Sequence, residues 1–260
     1  MNPILIQIGP LTIRYYGLMY AVAILVGLAL VRRDVRRRGL PITDDDVANF
    51  VLIAVAAGIL GARAYYVAFN WDFYGQNWKE IPAIWHGGLA IHGGLAGGVL
   101  AGWWFVRRHN LPFLLMSDVA APTLILGQAF GRFGNFMNGD AHGVPTSMPW
   151  GVIFPGYSIA GQEFPHTPIH PTMLYEMVLN LMIFVFLYRL RLRPAKDGFL
   201  FSLYLVLYST GRYVVSFFRA DSLMLGPYRA AHVVSLLIIA LAGGYIVKER
   251  LWELKRADIA

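Results

Sequence analysis

Residues 131–143 place a cation, two amides and an acid where an apolar stretch long enough to cross a bilayer ends. These polar residues are Arg132, Asn135, Asn138 and Asp140. A charged side chain at membrane depth is energetically costly, so its presence predicts a functional site. Glycines in the same segment favour close backbone packing or the close approach of a ligand.

Other apolar segments are predicted to bring polar side chains to the same depth. These side chains are Tyr16, Arg63, His92, Glu176 and Arg212. At a rise of about 1.5 Å per residue, all of them fall within the outer half of the membrane. Arginine matches phosphate with a planar fork, and histidine can act as a general base near neutral pH. This chemistry suits a pocket that binds or transforms an anionic lipid of the outer leaflet.

Most of these residues also have a structural interpretation. Arg63 could extend toward the outer headgroups, and Glu176 could complement the dipole at the start of a helix. Tyr16 could belong to an interfacial aromatic belt, and His92 could be a buried, hydrogen-bonded histidine. The two arginines that each follow a glycine lie deeper, so a purely structural role explains them less well.

The third apolar segment begins with a glycine-rich stretch, residues 87–98, that surrounds His92 and includes Gly93 and Gly94. Small residues on a membrane helix permit tight packing against another helix. They also allow a lipid to approach the backbone. The sequence alone leaves both interpretations open.

The composition predicts an integral membrane protein with one membrane domain over residues 1–260. Of the 260 residues, 57% are hydrophobic and 14% are charged, and mean hydropathy is positive. The absence of cysteine excludes disulfides, thiolate metal sites and a cysteine nucleophile from this chain. We expect neither a metal nor a cofactor. Membrane orientation explains the net charge of +7 better than nucleic acid does, because the basic residues lie between apolar segments.

Seven apolar stretches have roughly the 20 residues that a membrane span needs. The predicted spans are 11–31, 47–69, 87–106, 111–136, 171–188, 199–218 and 230–247. They predict an all-α integral membrane protein with seven transmembrane helices. The N-terminal ten residues lack the basic region of a cleavable signal peptide, so we expect the first span to be retained.

The basic residues predict the orientation of these spans. They cluster at 32–38, 107–108, 189–196 and 248–256. All four clusters are cytoplasmic if the N-terminus lies outside, as the positive-inside rule requires. The C-terminus is then cytoplasmic, with an amphipathic tail over about 248–260. On the outer side, the aromatic residues of the long loop 137–170 favour an ordered cap.

Six motifs resemble those of the bacterial prolipoprotein diacylglyceryl transferases, in the same order and over nearly the whole chain. They are residues 15–20, 61–63, 92–94, 131–143, 170–176 and 211–213. The resemblance implies a seven-helix enzyme of the bacterial inner membrane, with its active site toward the periplasmic half. Such enzymes move the diacylglyceryl group of phosphatidylglycerol, a membrane lipid, onto the lipobox cysteine of a prolipoprotein signal peptide. The products are a thioether and glycerol phosphate, in the first step of lipoprotein maturation.

The resemblance also implies roles for the polar residues. His92 would activate the thiol, while Arg132 and Arg212 would hold the phosphate and stabilise the departing glycerol phosphate. The residues that would bind the substrate are Tyr16, Arg63, Gly93, Gly94, Asn135, Asn138, Asp140 and Glu176. A free thiol has a pKa of about 8.5, so a base is useful at neutral pH. Fixed cations aimed at the leaving phosphate favour the transition state over the ground state.

Three positions depart from the family pattern. Asp140 stands where glutamate is usual, Ile169 where a basic residue is common, and Ser216 where some members have an acid. Any ion pair of Arg212 must therefore use a partner other than residue 216, or be absent.

Two other functions remain open, a transporter for an anionic lipid and a non-enzymatic lipid-binding scaffold. Both would use the arginines without needing a base, but the repeated halves common in transporters are not found here.

Overall fold

The computed structural model describes residues 1–9 and 11–254, and α-helices dominate it. The helices are α1 (Tyr15–Arg38), α2 (Asp44–Phe69), α3 (Trp71–Tyr74), α4 (Ile91–Arg108), α5 (Phe113–Asn138), α6 (Ile159–Glu163), α7 (Thr172–Leu190), α8 (Phe199–Ser216) and α9 (Ala230–Glu249). Each of the seven predicted spans coincides with one long helix, and most ends differ by only a few residues. Five of the described helices, α1, α2, α5, α7 and α9, are long and apolar enough to cross a membrane. The chain is therefore a mostly helical, multi-pass membrane protein.

Two short β-hairpins add to the predicted all-α fold. Strand β1 (Ile4–Ile8) pairs antiparallel with β2 (Leu11–Arg14), so the first helix begins at Tyr15 rather than at residue 11. Strands β3 (Met224–Leu225) and β4 (Tyr228–Arg229) form the second hairpin just before α9. Each turn contains a glycine with positive φ, and isoleucine-rich sequence favours the extended backbone of the first hairpin.

The described chain forms two compact units. The smaller unit consists of residues 31–116, and the larger unit contains residues 1–30 together with the chain from residue 117. In the smaller unit, Thr43 and Asp46 form a capping box that starts α2. This reciprocal pair satisfies backbone N–H groups that the first helical turn cannot pair internally.

Helices α2 and α4 of the smaller unit pack with their backbones in close contact. A Cβ atom on Gly61 would overlap the backbone of Gly93, and one on Gly97 would overlap the carbonyl group of Ala57. Gly93 and Gly97 are both buried in this contact. The structure thus shows at Gly93 the tight helix packing that the glycine-rich stretch permits.

The larger unit is built on a core that α5, α7 and α8 share. Ile125, Leu187 and Leu200 are at most 3% exposed. Buried Asp118 of α5 accepts hydrogen bonds of 2.8 Å from the backbone N–H groups of Gly198 and Phe201. These bonds satisfy donors at the start of α8 and fix the beginning of that helix against α5.

The loop 137–170 of the larger unit packs against the start of α7. Phe154, Ile169 and Met173 form a small apolar core that links the loop to the start of α7. The backbone of Ile169 also bridges to Val152 with two hydrogen bonds of 3.0 Å. The side chain of Ile169 is 1% exposed, so the apolar residue at this unusual position contributes to packing.

The predicted C-terminal tail is only partly described. Helix α9 ends at Glu249, and Lys196 forms an ion pair of 2.9 Å with Glu253 just beyond it. Residues 255–260 of the predicted amphipathic tail lie outside the described residues.

Replacing Gly97 by alanine should destabilise the protein, because the added methyl group forces α2 and α4 apart. Overpacking of this kind costs about 1–3 kcal/mol. The matched control is Gly98→Ala, since a Cβ there meets nothing within 4 Å. Thermal unfolding in detergent should show a lower Tm for Gly97→Ala and an unchanged or higher Tm for Gly98→Ala. Equal Tm values for the two variants would contradict the close contact.

Candidate functional site: an arginine cluster around one buried carboxylate

Three guanidinium groups of the larger unit converge on Glu176, in the second turn of α7. Nη2 of Arg132 lies 2.6 Å from Oε2 of Glu176, Arg212 donates to Oε1, and Nη1 of Arg219 donates to the same oxygen at 3.2 Å. Glu176 is only 3% exposed. The structure thus brings together three of the predicted site residues and adds a third arginine.

The start of α7 fixes the position of Glu176. Thr172, the first residue of α7, is fully buried, and its hydroxyl donates a hydrogen bond of 2.9 Å to the carbonyl of Ala141. Ala141 belongs to the polar segment that follows α5. Because Glu176 lies about one turn after Thr172, this bond sets the carboxylate against the end of α5.

Arg219 was not among the predicted site residues, although it contacts the same carboxylate as the predicted arginines. It is 7% exposed and makes two further bonds, of 2.9 and 2.7 Å, to the carboxylate of Asp221. Its backbone bridges to Gly143 in the loop after α5. Arg219 lies three residues beyond Ser216, the last residue of α8, so helical spacing gives no signal for it.

A chain of hydrogen bonds leads from Arg132 to Asp140, the acid predicted for the site. Nη1 of Arg132 donates to Oδ1 of Asn135 at 3.3 Å, and Nδ2 of Asn135 donates to Oδ1 of Asp140 at 2.9 Å. Burial raises the pKa of the Asp140 carboxyl group, while the hydrogen bond from Asn135 opposes that shift. Asp140 therefore orients the amide that contacts Arg132.

Tyr16 joins this group through close packing. The ring of Tyr16 lies against Gly134 of α5, where a Cβ atom would be 2.5 Å from the ring carbon Cδ2. Its hydroxyl is 3.1 Å from that of Tyr20 and within electrostatic range of Arg132 and Asp140. Gly134 is therefore required for Tyr16 to reach the site.

Asn138 contributes an acceptor that the protein itself does not use. Oδ1 of Asn138 is buried and has no hydrogen-bond partner among the described residues. Buried polar atoms are normally paired, so a vacant acceptor beside a polar cluster suits a donor group on a ligand. A hydroxyl group is the simplest such donor.

The cluster is open on the arginine side and closed on the acid side. The side chains of Arg132 and Arg212 are 19% and 24% exposed, whereas that of Glu176 is 4% exposed. A cavity of about 350 Å³ adjoins Arg212 between α8 and α9. Its lining changes from polar groups, including Arg212 and Asp221, to apolar Val234 and Ile238. This combination suits a molecule with an anionic head and an apolar tail.

Four predicted site residues lie in the smaller unit. His92 is the second residue of α4, is exposed, and has its ring 5.9 Å from that of Tyr65. Gly93 is buried in the contact between α2 and α4, and a Cβ on Gly94 would meet only ordinary neighbours. Arg63 is 6% exposed, and its guanidinium group donates to backbone carbonyl groups. That Arg63 binds substrate stays a prediction.

Ser216, which stands where some family members have an acid, does not pair with Arg212. Ser216 is fully buried, and its hydroxyl donates 2.8 Å to the carbonyl of Tyr213. Arg212 instead pairs with Glu176. The expectation that any ion pair of Arg212 must use another residue is confirmed.

The fold and this cluster define a multi-pass membrane protein with three arginines gathered around one buried carboxylate. The family model described as prolipoprotein diacylglyceryl transferase matches residues 3–248. The chain therefore belongs to the prolipoprotein diacylglyceryl transferase family, as the motifs predicted.

Curated relatives match over nearly their whole length. A protein of Fusobacterium nucleatum is 40% identical, with 96% of this chain and 98% of the relative covered. One of Geobacillus kaustophilus is 44% identical, with 99% and 93% covered, and one of Clostridioides difficile is 39% identical, with 100% and 99% covered. All three are named phosphatidylglycerol–prolipoprotein diacylglyceryl transferase.

Replacing Glu176 by glutamine should strongly destabilise the protein, because three guanidinium groups lose their shared counter-charge. Removing one partner of a buried ion pair typically costs about 3–5 kcal/mol. Thermal unfolding should show a much lower Tm, and anionic lipid should raise the Tm of this variant more than that of wild type. The control Glu253→Gln breaks an exposed pair and should change little. A wild-type Tm for Glu176→Gln would contradict the central role of this carboxylate.

The variant Asp140→Asn should become more stable relative to wild type as the pH rises. Burial raises the folded-state pKa of Asp140 above the ordinary value of about 3.9, so wild type loses stability as the pH rises through the folded pKa. Asparagine keeps the acceptor for Asn135 without the charge. From about pH 4 to 7, the Tm of Asp140→Asn should therefore rise relative to the Tm of wild type.

The control for this pH series has the opposite sign. Lys196 lowers the pKa of Glu253, so the Tm of Glu253→Gln should fall slightly relative to wild type as the pH rises, within the small change expected for an exposed pair. A pH-independent difference between Asp140→Asn and wild type would contradict the burial of this charge.

Proposed function

We propose that this chain transfers the diacylglyceryl group of phosphatidylglycerol to the cysteine thiol of a prolipoprotein lipobox. The observation that carries the proposal is the cluster of Arg132, Arg212 and Arg219 around Glu176 in a member of this family. The thiol sulfur forms a bond to the glyceryl carbon, and the bond from that carbon to the phosphate oxygen breaks. Glycerol phosphate leaves with the bonding electrons, and the thiol proton passes to a base.

In this proposal Arg132 and Arg212 hold the phosphate. Both side chains are partly exposed, and both are oriented by Glu176, so they are held ready for an anion. Negative charge on the phosphate oxygen grows as the carbon–oxygen bond breaks. Cations already fixed in place stabilise that charge without reorganising, which lowers the barrier. Arg219 does not hold the phosphate in this proposal, because two of its N–H donors already bind Asp221.

His92 is the proposed base for the substrate thiol. Imidazole exchanges protons near neutral pH, and this ring is exposed in the first turn of α4. A thiol is mostly protonated at that pH, so proton removal produces the reactive thiolate. The chain has no cysteine, which is consistent with direct transfer to a thiol of the substrate.

The remaining polar residues of the larger unit shape the proposed lipid site. The free Oδ1 of Asn138 accepts a hydrogen bond from a hydroxyl of the glycerol headgroup. Asn135 and Asp140 orient Arg132, and Tyr16 closes the site beside Gly134. The cavity next to Arg212 accommodates part of an acyl chain along its apolar wall.

We further propose a single domain of seven membrane-spanning helices in the bacterial inner membrane. Helices α4 and α8 are the third and sixth of these spans, since each is an 18-residue helix at a predicted position. The basic clusters support an external N-terminus and a cytoplasmic C-terminus. This orientation puts the proposed active site in the periplasmic half, where it meets phosphatidylglycerol of the outer leaflet and the signal peptide.

His92→Gln should abolish transfer while leaving lipid binding intact. General-base catalysis contributes about 10²–10⁴-fold, so turnover should fall by at least about 100-fold. The assay supplies phosphatidylglycerol and a lipobox peptide, and follows peptide mass and glycerol phosphate release together. His86→Gln is the matched control, because His86 is exposed in the same unit and pairs only with Glu80 among the described residues.

Three results would contradict the proposed function. Turnover of His92→Gln at the wild-type rate would remove the base from the mechanism. A wild-type protein that releases no glycerol phosphate would not be the transferase. If such a protein moved the lipid across a bilayer with the peptide unmodified, the same arginines would serve a transporter.

A further inference from the structure

The buried guanidinium group of Arg63 binds four backbone carbonyl groups of one loop. Nε donates to Ile81 at 2.8 Å, and Nη2 donates to Glu80 at 2.6 Å. Nη1 donates to Gly87 at 2.7 Å and to Gly88 at 3.0 Å. The same group lies 5.0 Å from the centre of the Tyr74 ring.

These contacts leave little capacity for a substrate anion. Guanidinium has five N–H donors, and four bonds to carbonyl oxygens use most of them. The carbonyl dipoles compensate the buried charge, as they must when a cation is withdrawn from water. A phosphate would have to displace the loop before it could bind Arg63.

The loop that Arg63 holds leads directly into the helix that carries His92. Gly87 and Gly88 have φ values of +89° and +74°, a conformation that favours glycine. A Cβ on Gly88 would overlap Nη1 of Arg63 and the ring of Tyr66. The loop backbone is therefore shaped around the guanidinium group.

Two further features tie the start of α4 to the neighbourhood of Arg63. The N–H of Ala90 donates a hydrogen bond of 3.1 Å to the carbonyl of Ala62, the residue before Arg63. Ala90 is the N-cap of α4 and provides no side-chain hydrogen bond to hold the first turn. The carbonyl of Ala62 and the guanidinium group of Arg63 thus hold the backbone that enters α4, and His92 follows two residues after Ala90.

We propose that Arg63 is a positioning residue that sets the imidazole of His92 through this loop, without touching the substrate. The inference rests on the proposed function, in which His92 is the base. Arginine is suited to this role because its planar fork reaches both arms of the loop, residues 80–81 and 87–88, together. Lysine carries the same charge at a single point and cannot span the four carbonyl groups.

The test is Arg63→Lys, with turnover of phosphatidylglycerol and a lipobox peptide measured from pH 6.5 to 9.5. A displacement of about 1 Å can cost on the order of 100-fold, so we expect kcat to fall about 10–100-fold at pH 7. The defect should shrink above pH 8.5, roughly the pKa of a free thiol, because the substrate then ionises without a base. The KM for phosphatidylglycerol should stay within about twofold of wild type.

Glu80→Gln is the matched control. It removes the ion pair between the side chains of Glu80 and His86 but keeps the carbonyl that accepts from Arg63. We expect this variant to have wild-type kinetics at every pH. Gly88→Ala is the second test variant, because it disturbs the same contact from the loop side while keeping the arginine. It should show the same pH-dependent defect, including in the case that Arg63→Lys does not fold.

Each other outcome overturns a specific statement. A raised KM for phosphatidylglycerol, with a defect that is equal at all pH values, would make Arg63 a phosphate ligand. A defect that is independent of pH in both variants, together with a lower Tm, would limit the role of Arg63 to stability. Wild-type kinetics in both variants would also overturn the inference. In all these cases the wild-type protein turns over, whereas failure of the proposed function would leave wild type itself inactive.

Discussion

The carboxylate of Glu176 is the group on which the architecture of the larger unit's site depends. Three guanidinium groups close to one another would repel strongly in a low-dielectric interior, because Coulomb energies there are weakly screened. Glu176 offsets that repulsion by contacting all three, and it is itself nearly inaccessible to solvent. A residue in the second turn of α7 thereby determines where side chains from α5 and α8 can point.

The cluster also has an arrangement of charge that is useful for binding. Glu176 contacts all three arginines, Asp221 pairs with Arg219, and Asp140 reaches Arg132 only through Asn135. Arg132 and Arg212 therefore share a single carboxylate as their direct partner, and their side chains are the more exposed ones. An anion that enters beside them replaces solvent rather than breaking the cluster. Orientation by Glu176 and affinity for a phosphate are thus compatible in the same side chains.

The length of the apolar stretches located all seven long helices, and five of the described helices are long and apolar enough to cross a membrane. Depth along each helix was sufficient to group Arg132, Arg212 and Glu176, which the structure brings into contact. The hairpin that begins at Ile4 was missed, because a run of isoleucine and leucine satisfies a hydropathy criterion in either conformation. Arg219 was missed for a different reason. It lies just beyond the end of α8, and only the backbone bridge to Gly143 turns it back toward Glu176.

Arg63 shows why residue type and depth together do not determine function. It shares with Arg132 a position near one end of a long helix, although Arg63 is buried and the side chain of Arg132 is 19% exposed. What separates them is the chemistry of their partners. Arg132 pairs with a carboxylate that serves two other arginines as well, so positive charge remains available to an anion. Four carbonyl dipoles of a single loop compensate the charge of Arg63, so this guanidinium group holds the loop backbone in place. Backbone carbonyl groups are not encoded by residue type, and their convergence depends on the left-handed glycines at positions 87 and 88. A sequence can therefore place an arginine near the end of a membrane helix, but only the three-dimensional structure distinguishes an arginine that shares a carboxylate from one that holds the loop before α4.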